Sequence, residues 1–372
     1  MKDIRIEKLA CNLLNYSVNL KESESILIEI LGEDGIPLGK ELVKQAHKLG
    51  ARPFFNIINY EIMREMLKGL TKEQIIMYAK HDGQRMKDMN AYIGIRASSN
   101  TAELNGVSKE NMDLYNKYYT LPVHFEERVK NTKWCILRYP NKSMAQMSNM
   151  NMEEFEDFFF NVCTLDYEKM SNAMDNLVNL MNRTDKVHIK GVDTDLTFSI
   201  KDIGVEKYRG TFNIPDGEVA IAPVIDSVNG YITYNTETRY NGILFNNIRF
   251  EFKDGKIIKA TSNRDKELNE ILDVDEGARY IGEFAIGLNP YVEKPIGDTL
   301  FDEKVKGSFH FTPGNALDQS DNSNRSSIHW DIVSIQTPEY GGGEIYFDDI
   351  LIRKDGRFVL KELECLNPEN LI

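Results

Sequence analysis

Two residues near the end of the chain have side chains that bind divalent metal ions, at a spacing that favours a shared site. His329 and Asp331 lie two positions apart in IHWDIVSI, so on a strand they project from the same face while Trp330 points the other way into packing. Imidazole nitrogen and carboxylate oxygen are both common zinc ligands. An H-x-D pattern by itself is widespread, so a surface pair is the alternative interpretation.

Three further residues are unusual in the strand-like segments that contain them. His310 lies in SFHFTPG between two phenylalanines, and an uncharged structural histidine is the alternative there. Glu283 in RYIGEFAIG and Glu218 in EVAIAPV are carboxylates in otherwise apolar strands, which are costly to bury unless they are paired or bind a metal ion. Alanines on the same strand faces, Ala285 and Ala220, leave room for a ligand to approach.

These five residues would form one site if the fold brings them together. Two glutamates, one aspartate and two neutral histidines carry a charge of −3, which two divalent cations slightly overcompensate. Such sets hold two ions about 3.5–4 Å apart with a bridging carboxylate, as in aminopeptidases. Other catalytic patterns are missing from the sequence: GGGE lacks the Lys-Ser/Thr of a phosphate loop, and GxGxxG after a strand, GxSxG and HExxH do not occur.

The composition narrows the class of protein further. The 372 residues include 58 Asp and Glu against 45 Lys and Arg, a formal net charge of −13 that argues against nucleic acid and anionic membranes as partners and favours cations. Four scattered cysteines without a CxxC pair fit a reducing compartment. The amino terminus has no apolar signal segment, and no apolar run approaches about 18 residues, so we expect a soluble, cytoplasmic protein.

The elements that must position the five residues follow from the hydrophobic pattern. Strands are predicted in SILIEI, RPFFNII, AYIGIRA and KWCILRYP with helices between them, which indicates a mostly parallel sheet. A helical pattern covers Met152–Met181 with a break at Asn161–Asp166, and its phenylalanines favour core packing over a ligand site. Later strand-like runs, with Asp-Gly turns in KDGK and KDGR, indicate antiparallel hairpins. The predicted fold is an α/β domain over residues 1–183 and an α+β domain rich in antiparallel strands over 184–372.

At these residues the chain resembles the thermophilic metallo-aminopeptidases of peptidase family M29. The similar segments are NIPDGEVAIAPV, DSVNG, ARYIGEFAIG, TLFDEKVKGSFHFTPG and SSIHWD, in this order over about 120 residues, and the amino-terminal half fits more loosely. The resemblance implies two divalent ions (zinc, cobalt or similar), removal of amino-terminal residues from peptides, and a cytoplasmic homodimer whose C-terminal domains pair. We expect Glu283 to bridge the ions or to move the proton. The metal ligands that the resemblance implies are Glu218, Glu283, His310, His329 and Asp331.

The chain departs from the family pattern at the position of a catalytic tyrosine, seven residues after His310, where it has Leu317. That tyrosine would stabilise an oxyanion, a role whose loss typically costs ~10²–10³ in rate, and Tyr340 is one candidate to replace it. The segment between the two histidines is also shorter than usual, and an aromatic residue and a threonine are replaced by Ala220 and Ile221. The alternative function is therefore a metal-binding protein with little or no peptidase activity, which keeps the ligands for stability or binds peptides without cutting them.

Overall fold

The structure, a computed structural model, describes residues 3–100 and 102–372, whose contacts divide them into two compact units. The first unit comprises the described residues up to Thr164 together with Gly210–Ile214, and the second comprises Leu165–Arg209 and Pro215–Ile372. The sequence predicts a boundary near residue 183, and the contacts assign the helix Tyr167–Met181 just before it to the second unit.

A five-stranded parallel sheet is the centre of the first unit, as the alternation of strands and helices predicts. Its long strands are Ser25–Leu31 (β1), Arg52–Ile58 (β2), Ala91–Arg96 (β3) and Lys133–Arg138 (β4). The order in space is β2-β1-β3-β4, with the short strand Asn213–Ile214 beside β4. Every residue of β1 is buried, which is typical of a central strand covered on both faces, whereas β2 at the edge has no buried residue.

Helices connect these strands, and several begin where a short polar side chain accepts a backbone amide hydrogen bond. Asn59, Thr71 and Ser108 each cap a helix in this way. Among the described residues, no helix is both long and apolar enough to span a membrane. The helical segments of the first unit are Ile4–Asn12, Leu13–Ser17, Glu33–Gly35, Ile36–Lys48, Tyr60–Lys68, Lys72–Lys87, Lys109–Tyr115, Asn116–Arg128, Val129–Asn131, Lys142–Met147 and Met152–Cys163.

The long helical region before residue 183 breaks in two, as its sequence predicts. Met152–Cys163 belongs to the first unit, and Tyr167–Met181 begins after Asp166, whose side chain accepts a backbone hydrogen bond in the first turn of the helix. Phe155 and Phe159 are fully buried. The prediction of core packing is therefore confirmed for these two phenylalanines, while Phe158 is half-buried.

Antiparallel sheets dominate the second unit, as predicted for the later part of the chain. Asp254-Gly255 and Asp355-Gly356 form hairpin turns with positive φ at both residues, which confirms the prediction from KDGK and KDGR. An eight-stranded sheet contains Lys186–Gly191, Thr194–Ser199, Asn229–Thr233, Arg249–Lys253, Lys256–Thr261, Gly343–Phe347, Ile350–Lys354 and Arg357–Phe358. The other elements outside the sheet described next are the hairpin Thr238–Tyr240 with Ile243–Phe245 and the helical segments Tyr167–Met181, Asp265–Leu272, Thr299–Asp302, Asp318–Ser320, Pro338–Tyr340, Lys361–Leu366 and Pro368–Leu371.

A second antiparallel sheet in this unit contains the segments singled out in the sequence. Its five strands are Glu206–Tyr208 (β5), Glu218–Ile221 (β6), Ile281–Gly287 (β7), Ser308–Pro313 (β8) and Val333–Ile335 (β9). In space they follow the order β9-β8-β7-β6-β5. The three central strands, β6 to β8, are buried along their whole length.

The prediction of one continuous strand over IHWDIVSI is wrong, because only its end, β9, is regular. His329 instead makes an isolated bridge with Gly314. Gly314 has a φ of 108°, and a Cβ there would lie 2.2 Å from the backbone oxygen of Ile328. The two stretches therefore approach more closely than a regular ladder with side chains at both positions would permit, and they pair irregularly.

Candidate metal centre

Four neighbouring segments of the second unit bring the five predicted site residues together. Glu218 is the first residue of β6, Glu283 lies in β7 and His310 lies in β8. His329 and Asp331 lie in the irregular stretch just before β9. The side chains form a continuous series of contacts within 4 Å, although 113 positions separate Glu218 from Asp331 in the sequence (331 − 218).

Small side chains occupy the sheet between these polar groups. Ala285 pairs with Ala220 on one side and with His310 on the other. Because cross-strand partners lie on the same face of a sheet, the alanines keep the strip beside the His310 imidazole clear of larger side chains. The strand pairing therefore leaves space for a ligand beside His310, as the alanines in the sequence indicate.

Glu283, His310 and Asp331 each offer a ligand atom within 4.8 Å of the others, and His329 lies beside two of them; we call this region the first position. The Nε2 atom of His329 is 3.2 Å from Oε2 of Glu283 and 3.2 Å from Oδ1 of Asp331. The Nε2 atom of His310 is 3.7 Å from the same Glu283 oxygen and 4.0 Å from the same Asp331 oxygen. Two imidazole nitrogens with two carboxylate oxygens are donor types that suit zinc or cobalt.

A backbone hydrogen bond determines which nitrogen of His329 faces the carboxylates. Its Nδ1 atom is 2.8 Å from the carbonyl oxygen of Asn315, and because a carbonyl can only accept, Nδ1 carries the hydrogen. In the neutral ring, Nε2 then directs a lone pair at two carboxylate oxygens. That arrangement is repulsive unless a proton or another cation lies between them, and donation of the other N–H to a carbonyl is the usual setting of a metal-binding histidine.

Glu218 lies on the other side of the His310 ring. Its Oε2 atom is 3.8 Å from Nδ1 of His310, and these two buried atoms, which we call the second position, have no hydrogen-bond partner. Its Oε1 atom is 2.5 Å from Nζ of Lys304, which is 2% exposed. Buried polar atoms without partners cost free energy, and a cation between Glu218 and His310 would satisfy both.

Lys304 is a part of the site that sequence reasoning misses. Its ammonium also lies 2.8 Å from Oε1 of Glu303 and 3.7 Å from Oδ1 of Asp216. In FDEKVKG the charges are typical of a solvated turn, so the spacing gives no sign that this lysine is buried. The site contains five carboxylates and one ammonium, so its net charge is −4 when all of them are ionised. Two divalent ions would neutralise this charge. The carboxylates are Asp216, Glu218, Glu283, Glu303 and Asp331.

Burial and mutual charge shift the pKa values of these groups strongly. Burial raises the pKa of Glu218 to about 7, although a nearby ammonium opposes the shift. Burial disfavours the charged form of His310, yet the carboxylates of Glu218 and Glu283 raise its pKa to about 9. For His329, burial is likewise outweighed by Asp331 and Glu283, which raise the pKa to about 12. In the absence of a metal ion, protons therefore occupy the cluster, and metal binding would displace them.

Hydrogen bonds from neighbouring residues hold the candidate ligands in place. Thr312 donates through Oγ1 to Oδ1 of Asp331 at 2.8 Å. Asp275 accepts hydrogen bonds at 2.7 Å from the Ser326 hydroxyl and from the Ser327 backbone amide, close before His329 in the chain. Contacts of this kind orient metal ligands and support their affinity.

A tyrosine that the sequence analysis did not single out lies against the site. Tyr208 is opposite Glu218 in the register of β5 and β6, and Nζ of Lys304 is 5.6 Å from its ring centroid. Burial, and then the charges of nearby carboxylates, raise its pKa. Leu317 is half-buried at the start of a short 3₁₀-helix, and Tyr340 is half-buried with its charged neighbours outside the predicted ligand set.

Comparison with known proteins identifies a family and confirms the predicted fold class. The family model described as thermophilic metalloprotease (M29) matches residues 2–358. Aminopeptidase PepS of Streptococcus thermophilus is 25% identical, over 88% of this chain and 91% of that protein. The solved structure of wild-type AmpT from Thermus thermophilus has a TM-score of 0.77 at 20% identity, and the match covers 96% of this chain and 99% of that chain.

A second solved structure shows that the fold alone does not indicate the reaction. 2,5-dihydroxypyridine dioxygenase from Pseudomonas putida has a TM-score of 0.62 at 12% identity, with 96% of this chain and 98% of that chain covered. The same architecture thus occurs in a protein named for different chemistry. The reaction has to be argued from the side chains of the site.

Proposed function

This chain belongs to the thermophilic metalloprotease family M29, and on that premise we propose that it is an aminopeptidase that acts through two divalent metal ions. Relatives named as aminopeptidases support the removal of amino-terminal residues from peptides. The observation that carries the proposal is the Nε2 atom of His329, 3.2 Å from two carboxylate oxygens while Nδ1 is bonded to a carbonyl. The proposed ligands are Glu218, Glu283, His310, His329 and Asp331.

Glu283 is the proposed bridging ligand because its strand lies between those of Glu218 and His310. Its strand, β7, lies between β6 and β8, and its Oε2 atom faces the Nε2 atoms of both His329 and His310. When bound, the ions would lower the pKa of a water molecule and polarise the scissile carbonyl. Glu283 would bridge the ions or hold at Oε2 the proton that leaves the attacking water and pass it to the departing amine.

The exposure of the ligands indicates the side from which a peptide approaches. The side chains of His329 and Asp331 are 27% and 15% exposed. Those of Glu283 and His310 are almost completely buried in the sheet. We infer that substrate reaches the first position past His329 and Asp331, while the sheet closes the opposite side against water.

We also propose a homodimer that pairs through the second unit, a cytoplasmic location, and zinc or cobalt as the native type of ion. The net charge of −13 favours cations and disfavours nucleic acid and anionic membranes as partners. Light scattering after size-exclusion chromatography tests the dimer, which should have twice the chain mass of 42.8 kDa. A mass equal to one chain would contradict it.

The test of the proposed function is hydrolysis of leucine p-nitroanilide by EDTA-stripped protein to which cobalt or zinc is added back. We expect metal to restore turnover in the wild type, and His329→Ala to abolish it. His188→Ala is the matched control, since His188 pairs with Asp195 in the eight-stranded sheet and should not affect turnover. Equal activity in the two variants would contradict the assignment of His329.

A second candidate is a metal-binding protein with little or no peptidase activity. Leu317, a half-buried aliphatic residue where the family resemblance implies a tyrosine, is the observation that favours it. Two bound ions per chain without turnover of any amino-acyl substrate would support this function over the first. Leu317→Tyr would then be the variant in which to seek a gain of hydrolysis.

A further inference from the structure

We propose that the two metal positions are unequal and fill in sequence, and that Lys304 is the residue that weakens the second one. The inference rests on the metal centre of the proposed function and concerns the order and affinity of loading. It follows from the number of protein atoms that each position offers and from a fixed positive charge beside one of them.

The first position already has four protein ligand atoms in place. Each of the Nε2 atoms of His329 and His310 lies 3.2–4.0 Å from an oxygen of Glu283 and from an oxygen of Asp331. These atoms supply at least the three protein ligands that hold zinc in a catalytic site. None of the four atoms belongs to Glu218, so this position does not need the second one to be filled.

The second position has fewer protein ligand atoms than the first. It is defined by Oε2 of Glu218 and Nδ1 of His310, 3.8 Å apart. His310 also faces the first position through Nε2, and a neutral imidazole has only one nitrogen lone pair, so this ring can bind an ion at only one of the two positions. The other oxygen of Glu218 is held by Lys304, which leaves a single carboxylate oxygen for an ion.

Lys304 cannot move away when an ion arrives. Its side chain is 3% exposed and its ammonium lies within 4 Å of Glu303, Asp216 and Glu218. The face of Tyr208 covers it at 5.6 Å. A buried positive charge that contacts a metal-binding carboxylate repels a second cation at the same carboxylate, and screening by solvent is weak there.

The experiment is a titration of EDTA-stripped protein with Co²⁺, with bound metal measured by equilibrium dialysis and the coordination followed by visible absorption. For the wild type we expect two equivalents, the first bound at least about tenfold more tightly than the second. Lys304→Met should tighten the second equivalent by about tenfold and leave the first within about threefold, whereas Lys304→Arg should retain the wild-type steps. Two equal equivalents in the wild type, or a second equivalent that Lys304→Met weakens or leaves unchanged, would overturn the proposal.

Glu218→Gln tests the assignment of the two positions independently of whether Lys304→Met folds. This variant should lose the second equivalent and keep the first, with its absorption spectrum unchanged. Loss of the first equivalent in Glu218→Gln would overturn the assignment of the positions. The readout is metal uptake, so a protein that loads in two steps but hydrolyses nothing would contradict the proposed peptidase and support the loading order, while a protein that takes up no ion would overturn both.

Discussion

In the first unit a buried polar cluster surrounds Glu29 of β1, whereas in the second unit a comparable cluster surrounds Glu283 of β7. Around Glu29, the Tyr92 hydroxyl donates to one carboxylate oxygen at 2.7 Å and the Asn56 amide donates to the other at 3.4 Å. Arg128 lies 5.0 Å from the Tyr92 ring centroid. Both carboxylate oxygens of Glu29 thus accept a hydrogen bond from a neighbouring side chain, although Nη1 of Arg128 is buried without a partner.

Around Glu283 the carboxylates face imidazole nitrogens, so these contacts need a proton or a metal ion between the two atoms. Oxygens of Glu283 and Asp331 both point at Nε2 of His329, and Oε2 of Glu218 points at a histidine nitrogen without a hydrogen-bond partner. Both clusters centre on a buried glutamate in a central strand. The comparison teaches that the matching of donors to acceptors, more than the presence of buried charge, separates a structural cluster from a candidate metal centre.

The largest expected difference between the clusters is in catalysis. Bound ions supply several kcal/mol of transition-state stabilisation, so Glu283→Gln should lower the metal-dependent rate on the order of 10³-fold. Glu29→Gln, the matched change in the first unit, should leave the rate within about threefold. Steady-state hydrolysis of leucine p-nitroanilide measures both variants. Similar losses of rate in the two variants would show that the cluster around Glu283 has no special role in catalysis.

Metal addition should stabilise the second unit by a smaller but measurable amount. At a free zinc concentration about 100 times the Kd, the free energy of unfolding should rise by about 2.7 kcal/mol. The chain has two tryptophans, and Trp330 lies in the second unit, so urea unfolding followed by fluorescence in Trp134→Phe protein reports this effect. His329→Ala should remove the increase, and an equal increase in that variant would place the ion elsewhere.

Removal of the Tyr92 hydroxyl should destabilise the cluster around Glu29 and leave the cluster around Glu283 unaffected. Tyr92→Phe leaves an oxygen of Glu29 buried without its hydrogen bond, and we expect a loss of about 2 kcal/mol in the free energy of unfolding. Metal stoichiometry should not change. Urea unfolding followed by Trp134 fluorescence in Trp330→Phe protein gives the stability, and dialysis of the tyrosine variant without the tryptophan change gives the metal content. A loss of bound metal in Tyr92→Phe would mean that the clusters are not independent.

The smallest effect concerns pH in the first unit. Burial, and then the positive charges of Arg128 and Arg96, lower the pKa of His124 from 6.5 to about 4. Because the folded pKa lies below the unfolded one, the unfolded chain binds more protons between these values, and stability falls as pH falls below 6.5. We expect a loss of about 1.6 kcal/mol between about pH 6.5 and about pH 5 in the unfolding monitored by Trp134, and His124→Gln should remove this slope. A stability that rises as the pH is lowered over this range would contradict the burial of a neutral ring.

Local pattern was sufficient for the features that depend on nearest neighbours in the chain. Asp-Gly turns between apolar runs favour positive φ at both residues, so the hairpins at 254–255 and 355–356 were predictable. Glu218 and Glu283 stood out because each is a single carboxylate in an apolar run. A residue that is unusual among its neighbours in one short segment can therefore be identified from that segment alone.

Features that depend on contacts between distant segments could not be predicted in this way. Lys304 looks like a surface residue in FDEKVKG, and its burial follows from contacts with distant carboxylates, including Glu218, 86 residues away in the chain. The irregular pairing at His329 depends on the close approach of Gly314, which no spacing within IHWDIVSI reveals. The predicted domain boundary and the ligand assignment stay predictions.

The most direct test of whether the cluster around Glu283 binds metal ions is anomalous X-ray diffraction from crystals of the wild-type protein grown with zinc. We predict a strong anomalous peak at the first position, bounded by His329, Glu283, Asp331 and His310, and a second, weaker peak between Glu218 and His310. The site residues must be well ordered and the zinc concentration must exceed the Kd. If the first position then shows no anomalous peak, or if peaks occur only at surface residues, the assignment of a metal centre to these residues is wrong.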